Sequence, residues 1–343
     1  MIESFKKFRI LLIVCACFIH ANPSVFTYDQ ALAKCDENNL QIQQPEPDGR
    51  TQTLNKKGAV TATIDSAARD FLKFGKGKAI LEIGGCYGDV MLQALKQSES
   101  TIYALNDMDG RHLFIAAKRL CQKIQHNSLK SSSAKQVKFV QADITNTKDV
   151  QKLAQYEAIY VGRVFHFLTP EQFELSVKHL FLLLKPKGRV FASAITPYVK
   201  RFERFIPEYE RRLAAGEEYP GFVKSLREYV NDKVTSLLQI KNISEEPFLF
   251  LDVEVLRHIF ERNGFRILEC RTLPLDYKSE SWVYDGRENV MIIAEKDLPP
   301  EPLVYKSELL AYDGRDNVMV IAEKELPPEP VQENQKSADI LQS

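Results

Sequence analysis

A glycine cluster joins a strand-like segment to a helix-like segment in the stretch KAILEIGGCYGDVMLQAL, Lys78 to Leu95. The first part is a run of apolar residues, which is typical of a buried parallel strand. In the second part, apolar residues recur with helical spacing. Where a strand of an open α/β sheet passes into a helix, backbone N–H groups converge and favour nucleotide-like ligands. The stretch therefore predicts an α/β fold with a ligand site at its glycines.

The spacing of the glycines narrows the choice of ligand. A dinucleotide-binding turn needs the pattern G-x-G-x-x-G, and neither Gly84 nor Gly85 starts one. The Gly-Lys-Ser or Gly-Lys-Thr ending of a phosphate-binding P-loop does not follow either. The stretch instead offers an acidic residue on the strand, Glu82, followed by Gly84 and Gly88. A carboxylate at this point repels a pyrophosphate and suits a ligand that carries positive charge.

Two further predicted strands end at acidic residues. STIYALNDMD indicates a strand at Thr101–Leu105 ahead of Asp107, and QVKFVQADITN indicates one at Val137–Gln141 ahead of Asp143. A carboxylate at the end of the second strand can accept hydrogen bonds from both hydroxyls of a ribose. Helix capping by Asp107 and a plain turn role for Asp143 are the alternatives.

The segment from Tyr156 to Thr196 predicts a fourth and a fifth strand with a helix between them. A loop at Arg163–His166 follows the fourth strand, and an amphipathic helix leads to a turn at Leu184–Gly188. Pro186 and Gly188 are helix stop signals, so the fifth strand is expected directly after them.

In their order and spacing, these segments resemble class I S-adenosylmethionine-dependent methyltransferases over Lys78–Ser193. The first motif of that family is an acidic residue followed by G-x-G-x-G, and Cys86 stands where the middle glycine is commonest. LKPKG at Leu184–Gly188 is similar to the family's LKPGG-like turn. The resemblance implies an α/β fold with a three-layer, Rossmann-like, seven-stranded sheet in the order 3-2-1-4-5-7-6. The seventh strand would be antiparallel, and a helical insertion would follow the fifth strand at about residues 197–245.

The resemblance also implies S-adenosyl-L-methionine as the cofactor. Asp107 would bind the ribose, Asp143 would bind the adenine amino group, and Ile144 would pack on the adenine ring. Cys86 is small enough to keep the close backbone approach, provided that its φ is negative. The expected cofactor-binding residues are Glu82, Gly84, Gly85, Cys86, Gly88, Asp107, Met108, Asp143, Ile144 and Arg163.

The implied reaction is transfer of a methyl group by in-line displacement, for which the chain must align the acceptor and exclude water. His166 is the candidate general base, with a packing or hydrogen-bonding role as the alternative. Arg163 could orient an acidic substrate, and Tyr198 could line the pocket. The insertion would act as a lid or simply cover the sheet.

Two other functions stay open. One is a protein that binds S-adenosylmethionine without catalysis, for which Cys86 in the glycine turn is the motivation. The other is a NAD(P)-dependent oxidoreductase, against which the glycine spacing argues.

The N-terminus has the layout of a signal peptide. Basic residues in MIESFKKFR precede the apolar run Ile10–Ile19, which is shorter than a membrane span of about 20 residues. Residues 1–21 are expected to be a signal peptide or an uncleaved anchor, with a buried N-terminal element or lipid attachment at Cys15 or Cys17 as alternatives. The protein would then be exported or membrane-associated, and otherwise cytoplasmic, with membrane contact only through residues 8–21.

The C-terminal part contains a duplication. YKSESWVYDGRENVMIIAEKDLPPEP, from Tyr277, recurs as YKSELLAYDGRDNVMVIAEKELPPEP, from Tyr305. Two copies are too few for a solenoid, and the sheet has one place for a seventh strand. We expect the first copy to fill it, because that copy follows the sixth strand by a short connection. The expected organisation is a leader at 1–21, an N-terminal arm at 22–57, a methyltransferase domain at 58–296, a second copy of the seventh-strand hairpin at 297–330 and a disordered tail at 331–343.

Charge and cysteine content limit the partners. The 46 basic and 46 acidic residues cancel, so no nucleic-acid partner is expected. A small molecule is the expected acceptor, with a lipid or a protein as the alternatives. Outside the leader, Cys35, Cys86, Cys121 and Cys270 are widely spaced and form no C-x-x-C pair. They are therefore expected to be free thiols, and no metal site is predicted.

Overall fold

The computed structural model describes residues 24–46, 49–98, 101–151, 153–235, 243, 245–275 and 281–297. The leader at 1–21, most of the 297–330 segment with the second copy, and the tail at 331–343 lie outside these residues. The compact unit that contains the described residues ends at Asp297. In the described part of the chain, no helix combines the length and the apolar content needed to cross a membrane.

Strands and helices alternate through most of the described chain. They are β1 Ser24–Phe26, α1 Tyr28–Glu37, β2 Arg50–Gln52, β3 Ala59–Thr61, α2 Ser66–Gly75, β4 Ala79–Ile83, α3 Asp89–Gln97, β5 Ile102–Asp107, α4 Gly110–Gln125, β6 Val137–Gln141, α5 Thr147–Val150, β7 Tyr156–Gly162, α6 Pro170–Leu183, β8 Leu184–Ile195, α7 Ile206–Ala214, β9 Phe222–Val223, β10 Phe248–Leu249, α8 Val253–Arg262, β11 Phe265–Leu273 and β12 Asn289–Lys296. Short 3-10 helices lie at Ser131–Gln136, Phe165–Phe167, Lys200–Phe205 and Leu226–Tyr229.

One large sheet has the order β1-β6-β5-β4-β7-β8-β12-β11. From β6 to β8 neighbouring strands are parallel, and β12 is antiparallel to both β8 and β11. From β6 onwards this is the predicted order 3-2-1-4-5-7-6 with an antiparallel seventh strand, so the predicted fold class is confirmed. The sequence did not reveal β1, which pairs antiparallel with the outer edge of β6, Ser24 opposite Gln141.

Apolar clusters on both faces of the sheet make the fold three-layered. On one face, helices α1 to α4 cover residues such as Tyr103 and Leu105, while Ala104 between them belongs to the cluster on the opposite face. This alternation follows from the period-two orientation of side chains along a strand. Helices α6 and α8 supply buried residues such as Phe173 and Ile259 to the second cluster.

The LKPKG segment is part of a strand, where a separate turn was expected. Leu184 pairs with Tyr156, and the next paired residues are Arg189 and Ala158, so the segment bulges within β8. Lys187 has a left-handed φ of 61° in this bulge. The helix does stop here as predicted, but an extra length of β8 accommodates the change of direction.

The described part of the insertion after the fifth strand is less helical than expected. Its described part contains α7, two 3-10 helices and β9, which pairs with β10. Aromatic residues dominate its own apolar cluster, which includes Phe202, Phe205 and Phe250. The aromatic residues of this segment therefore help to build a small separate core.

The first copy of the duplicated segment supplies β12, as expected. The turn before this strand is held by Glu288, whose side chain is fully buried. One of its carboxylate oxygens accepts hydrogen bonds from the N–H groups of Tyr284, Asp285 and Gly286, and the other accepts one from Leu275. A buried carboxylate with these partners is strongly favoured over an uncharged replacement.

Glu288→Gln is expected to destabilise the protein. The amide would place an –NH₂ donor against backbone N–H donors, so the free energy of unfolding should fall by about 2 kcal/mol or more. Urea denaturation measures this loss. The exposed Glu254→Gln is the control and should change stability by less than about 0.5 kcal/mol; equal effects of the two substitutions would contradict the assigned role of Glu288.

Candidate active site

A cavity of about 460 Å³ lies at the carboxyl ends of the parallel strands. The expected cofactor-binding residues that line it are Glu82, Gly84, Gly85, Cys86, Asp107, Met108, Asp143, Ile144 and Arg163. His166 lines it as well. Gly88 does not; it caps the N-terminus of α3 behind the turn. The structure therefore brings together His166 and all but one of the expected cofactor-binding residues.

In the glycine turn, every second residue from Gly84 to Gly88 has a left-handed backbone conformation. Gly84, Cys86 and Gly88 have φ of 67°, 44° and 76°. The expectation of a negative φ at Cys86 is wrong, because the turn needs a left-handed residue where the resembled motif has its middle glycine. A side chain costs about 1–2 kcal/mol in this conformation. The Cys86 thiol is buried, and burial raises its pKa well above the usual range, so it is a neutral thiol. In the described residues Cys35, Cys86, Cys121 and Cys270 are free thiols, as predicted.

Asp107 connects the turn to its neighbours. Its carboxylate accepts hydrogen bonds from the N–H of Cys86, at 3.1 Å, and from the N–H of Asp109, at 2.9 Å. The side chain of Asp109, and not that of Asp107, caps helix α4 by accepting from the N–H of Arg111. The helix-capping alternative for Asp107 is therefore excluded by the geometry.

His112 is the site residue that the sequence analysis missed. Its Nδ1 lies 3.1 Å from Asp107, and its Nε2 accepts a hydrogen bond from the N–H of Leu54 at 3.1 Å. Because Nε2 accepts, we assign the proton to Nδ1, which donates to the carboxylate. The only signal in the sequence was a histidine five residues after Asp107, inside an amphipathic helix pattern.

Cys86, Asp107 and His112 place possible metal-ligand atoms within 4.8 Å of one another. Both ring nitrogens of His112 already have protein partners. The side chains of Asp107 and His112 are therefore arranged as a hydrogen-bonded support for the turn, which they hold through the backbone N–H of Cys86.

Glu82 lies buried beneath the turn. Burial raises its pKa to about 8, and the nearby carboxylates of Asp89 and Asp107 add to the shift. Tyr103 donates a 2.6 Å hydrogen bond to the carboxyl group, which opposes the shift. Near neutral pH, Glu82 therefore favours its protonated form, and a cation in the cavity would favour its ionised form.

At one side of the cavity, Met108 and Ile144 offer apolar surface on which a flat ring could pack, and Asp143 offers a hydrogen-bond acceptor beside them. The side chain of Met108 is 53% exposed although it borders the cavity, and Ile144 lies at the same end. Asp143 accepts hydrogen bonds from the N–H and hydroxyl of Thr145 through one carboxylate oxygen. No hydrogen bond of the protein is assigned to the second oxygen of Asp143 among the described residues.

His166 occupies an aromatic environment at the other end. Its ring lies 4.1 Å from Phe167 and 4.8 Å from Phe248, centroid to centroid. Burial, with a further contribution from the positive charge of Arg163, lowers its pKa to about 3. A base with this pKa is unprotonated at neutral pH but has little tendency to take a proton. Its geometry and charge fit a hydrogen-bond acceptor better than a general base.

The N-terminal hairpin β2–β3 borders the same cavity. Tyr87 donates a hydrogen bond to the carbonyl of Gln52 at 3.0 Å, and Lys57 forms a 3.1 Å ion pair with Glu246. A Cβ atom at Gly58 would come within 2.8 Å of the ring of Phe167. The hairpin thus bridges the glycine turn, the 3-10 helix after β7 and Glu246 just ahead of β10. Its two strands lie on either side of the expected 57/58 domain boundary.

Tyr198 is not among the described residues that line the cavity. Its ring instead packs under the guanidinium of Arg287, 3.6 Å from the ring centroid, and against Tyr209. The insertion contributes Phe202 and Leu226 to the cavity instead.

Substitutions at Cys86 separate the cost of its backbone from the value of its side chain. Alanine keeps the cost of a left-handed conformation, about 1–2 kcal/mol, and glycine removes it. Glycine also makes the unfolded chain more flexible, which lowers the stability of the folded state by about 0.4–1 kcal/mol relative to alanine. Cys86→Gly should therefore exceed Cys86→Ala in free energy of unfolding, by about 1 kcal/mol in urea denaturation. At Cys35, within helix α1, the order should be reversed. A more stable alanine at both positions would contradict the strain at Cys86.

The raised pKa of Glu82 predicts a dependence of stability on pH. Between about pH 4.5 and pH 8 the folded state holds a proton that the unfolded state has lost, so stability falls as the pH rises through this range. Glu82→Gln cannot ionise, and its free energy of unfolding should rise relative to the wild type across the same range, by about 1.4 kcal/mol per unit of pKa shift. Urea titrations at several pH values measure this. For the exposed control Glu254→Gln, the difference in free energy of unfolding from the wild type should not change with pH over this range. A pH-independent difference for Glu82→Gln would refute the assignment of a buried, protonated carboxyl group at Glu82.

No protein-family model and no curated protein sequence matches the chain. Solved structures of similar fold include an O-methyltransferase family protein from Burkholderia thailandensis, at 12% identity and a TM-score of 0.42, covering 67% of this chain and 55% of that protein. A SAM-dependent methyltransferase from Methanosarcina mazei has 13% identity and a TM-score of 0.48, covering 69% and 99% of the two chains. Magnesium protoporphyrin IX methyltransferase from Synechocystis, with bound SAH, has 15% identity and a TM-score of 0.42, covering 68% and 81%. The chain thus spans about half the length of the first of these proteins.

The sheet of the chain itself gives the fold assignment. Its parallel strands β6 to β8 and the antiparallel β12 inserted between β8 and β11 reproduce the topology that the sequence resemblance implied. The added edge strand β1 leaves this order unchanged. The chain therefore has the fold of the class I S-adenosylmethionine-dependent methyltransferases.

Proposed function

We propose that the protein is an S-adenosylmethionine-dependent methyltransferase that acts on a small molecule. The observation that carries the proposal is the convergence of Glu82, Asp107 and Asp143 on one cavity. They come from the ends of three adjacent parallel strands and lie beside a turn of left-handed residues. This placement suits a ligand with a sugar, a flat base and positive charge.

The donor and acceptor groups of the cavity fit such a ligand. The carboxylate of Asp107 accepts three hydrogen bonds from the protein and has roughly four acceptor positions, which leaves room for a ribose hydroxyl. Met108 and Ile144 offer apolar surface to the adenine ring, and Asp143 can accept from its amino group. Glu82 can balance the positive charge of the ligand once it ionises.

The bound cofactor would supply an electrophilic methyl group on a sulfonium. The residues of the chain would then align the acceptor atom with the bond that breaks, and exclude water from it. Phe167 and Phe248 provide an apolar wall around His166, and the β2–β3 hairpin covers the cavity from the N-terminal side. His166 would orient the acceptor by accepting a hydrogen bond.

A cofactor-binding protein without catalysis is the second candidate. It is favoured by the strained Cys86 in the turn and by the weak basicity of His166. Binding experiments cannot separate it from the methyltransferase, but transfer of a labelled methyl group to any acceptor can. An oxidoreductase that uses NAD(P) is disfavoured by the glycine spacing.

Asp107→Ala should weaken cofactor binding. Calorimetric titration of the purified chain with S-adenosylmethionine and with its demethylated product should show binding of both, weakened about tenfold or more by the substitution, which corresponds to about 1.4 kcal/mol. Loss of the ribose acceptor and of the support for the Cys86 N–H is the reason.

Asp109→Asn is the matched control. Its side chain stands at the same end of β5 but faces Arg111 and does not line the cavity, so binding should stay within about twofold of the wild type. Tighter binding of NADH than of S-adenosylmethionine, or binding of neither by the folded chain, would refute the proposal.

A further inference from the structure

The cavity has opposite charge at its two ends. Acidic residues surround the glycine turn, whereas Arg163 and Arg201 line the end beyond His166. The side chain of Arg201 is only 5% exposed, and its guanidinium carbon lies 5.0 Å from the centroid of the Trp282 ring. The positive charge of Arg163 interacts electrostatically with His166 and contributes to the lowered pKa of its imidazole. A ligand group at this end therefore meets positive potential.

The carboxylates near this end are already engaged. Asp65 accepts hydrogen bonds from the N–H of Ala68 and from the hydroxyls of Tyr160 and Ser193. Glu246 forms the ion pair with Lys57. Neither carboxylate is placed to take a proton from an incoming molecule, and His166 is a weak base.

The walls of this end are aromatic and include buried polar atoms that have no hydrogen-bond partner among the described residues. Phe167, Phe202, Phe248 and Trp282 line it. Among the described residues, Nδ1 of His166 and Nε1 of Trp282 are buried without a hydrogen-bond partner. Unpaired buried polar atoms in an apolar pocket indicate groups that a ligand satisfies.

We infer that the acceptor is a small aromatic or conjugated carboxylic acid, and that its carboxylate oxygen receives the methyl group to form a methyl ester. The inference rests on the proposed function. Arg163 and Arg201 would hold the carboxylate, and the aromatic walls would hold its flat body. Arginine is well suited to this role because its planar guanidinium matches the geometry of a carboxylate.

This acceptor explains how the reaction proceeds without a strong base. A lone pair of the carboxylate oxygen forms the new O–C bond while the C–S bond of the sulfonium donor breaks, and the electron pair of that bond stays on sulfur. The products are a neutral ester and a neutral thioether, and no proton moves. An alcohol or phenol would have to lose a proton, whereas a carboxylic acid, with a pKa of about 4, is already ionised at neutral pH.

Matched ligands can test the charge preference directly. Trp282 is the only tryptophan of the chain and lines the acceptor end, so its fluorescence reports occupancy. The full chain, saturated with S-adenosylhomocysteine, is titrated with 3-phenylpropionate and with 3-phenylpropionamide, which differ only in charge and one polar atom. We expect the carboxylate to bind about tenfold or more tightly than the amide, a difference of about 1.4 kcal/mol.

Arginine variants show whether the preference has the proposed origin. Arg201→Gln and Arg163→Gln should each weaken binding of 3-phenylpropionate while leaving the amide unchanged. Arg204→Gln is the matched control, because Arg204 lies on the same 3-10 helix but is exposed and paired with Asp232. Two positions are tested because the buried Arg201 variant could fail to fold.

An amide that binds as tightly as the carboxylate, no quenching by either ligand, or a preference that survives both substitutions would overturn the inference. Calorimetric titration with S-adenosylhomocysteine in the same samples keeps the two proposals distinguishable. Normal binding of that ligand without a carboxylate preference refutes the acceptor class alone. Absence of its binding refutes the proposed function.

Discussion

The carboxylate of Asp107 is the contact on which the arrangement of the site depends. It joins the Cys86 N–H of the glycine turn, the first turn of α4 through His112, and the end of its own strand. His112 extends the link by accepting from the N–H of Leu54 in the N-terminal hairpin. The contacts of Asp107 with the Cys86 N–H and with His112 are buried. Each of these two is therefore stronger than it would be at the surface, and loss of one leaves a buried group unsatisfied.

The N-terminal hairpin shows why that network matters for the shape of the cavity. Its strands have three residues each, and an isolated two-stranded hairpin of this size is not stable in water. Its position must therefore come from its contacts: His112 and Tyr87 on the side of the turn, and Phe167 after β7 and Glu246 before β10 on the other side. The cover of the cavity and the cofactor end are thus parts of one connected structure, although they are distant in sequence.

Periodicity and turn chemistry sufficed to predict the individual strands and the carboxylates at their ends. The resemblance to class I methyltransferases implied the strand order, and the short connection from the sixth strand predicted the occupant of the seventh-strand position. The features that escaped prediction share a physical cause. The strand β1 is three residues long and owes its existence to pairing with β6, and the hairpin depends on contacts such as Lys57 with Glu246. His112 fits an ordinary helix pattern, and the left-handed φ of Cys86 is imposed by the turn against the preference of its side chain. Long-range pairing and strain of this kind leave little trace in local sequence.

The differences between the two copies of the duplicated segment bear on why the first one belongs in the sheet. At the positions of Trp282 and Glu288 in the first copy, the second carries Leu310 and Asp316. In the first copy, Trp282 lines the acceptor end, and Glu288 spans the distance between the N–H of Leu275 and those of the turn before β12. An aspartate is one methylene shorter and could not reach both sets of donors from the same backbone position. The packing of the turn and the composition of the cavity therefore select the same copy that the short connection from β11 selects.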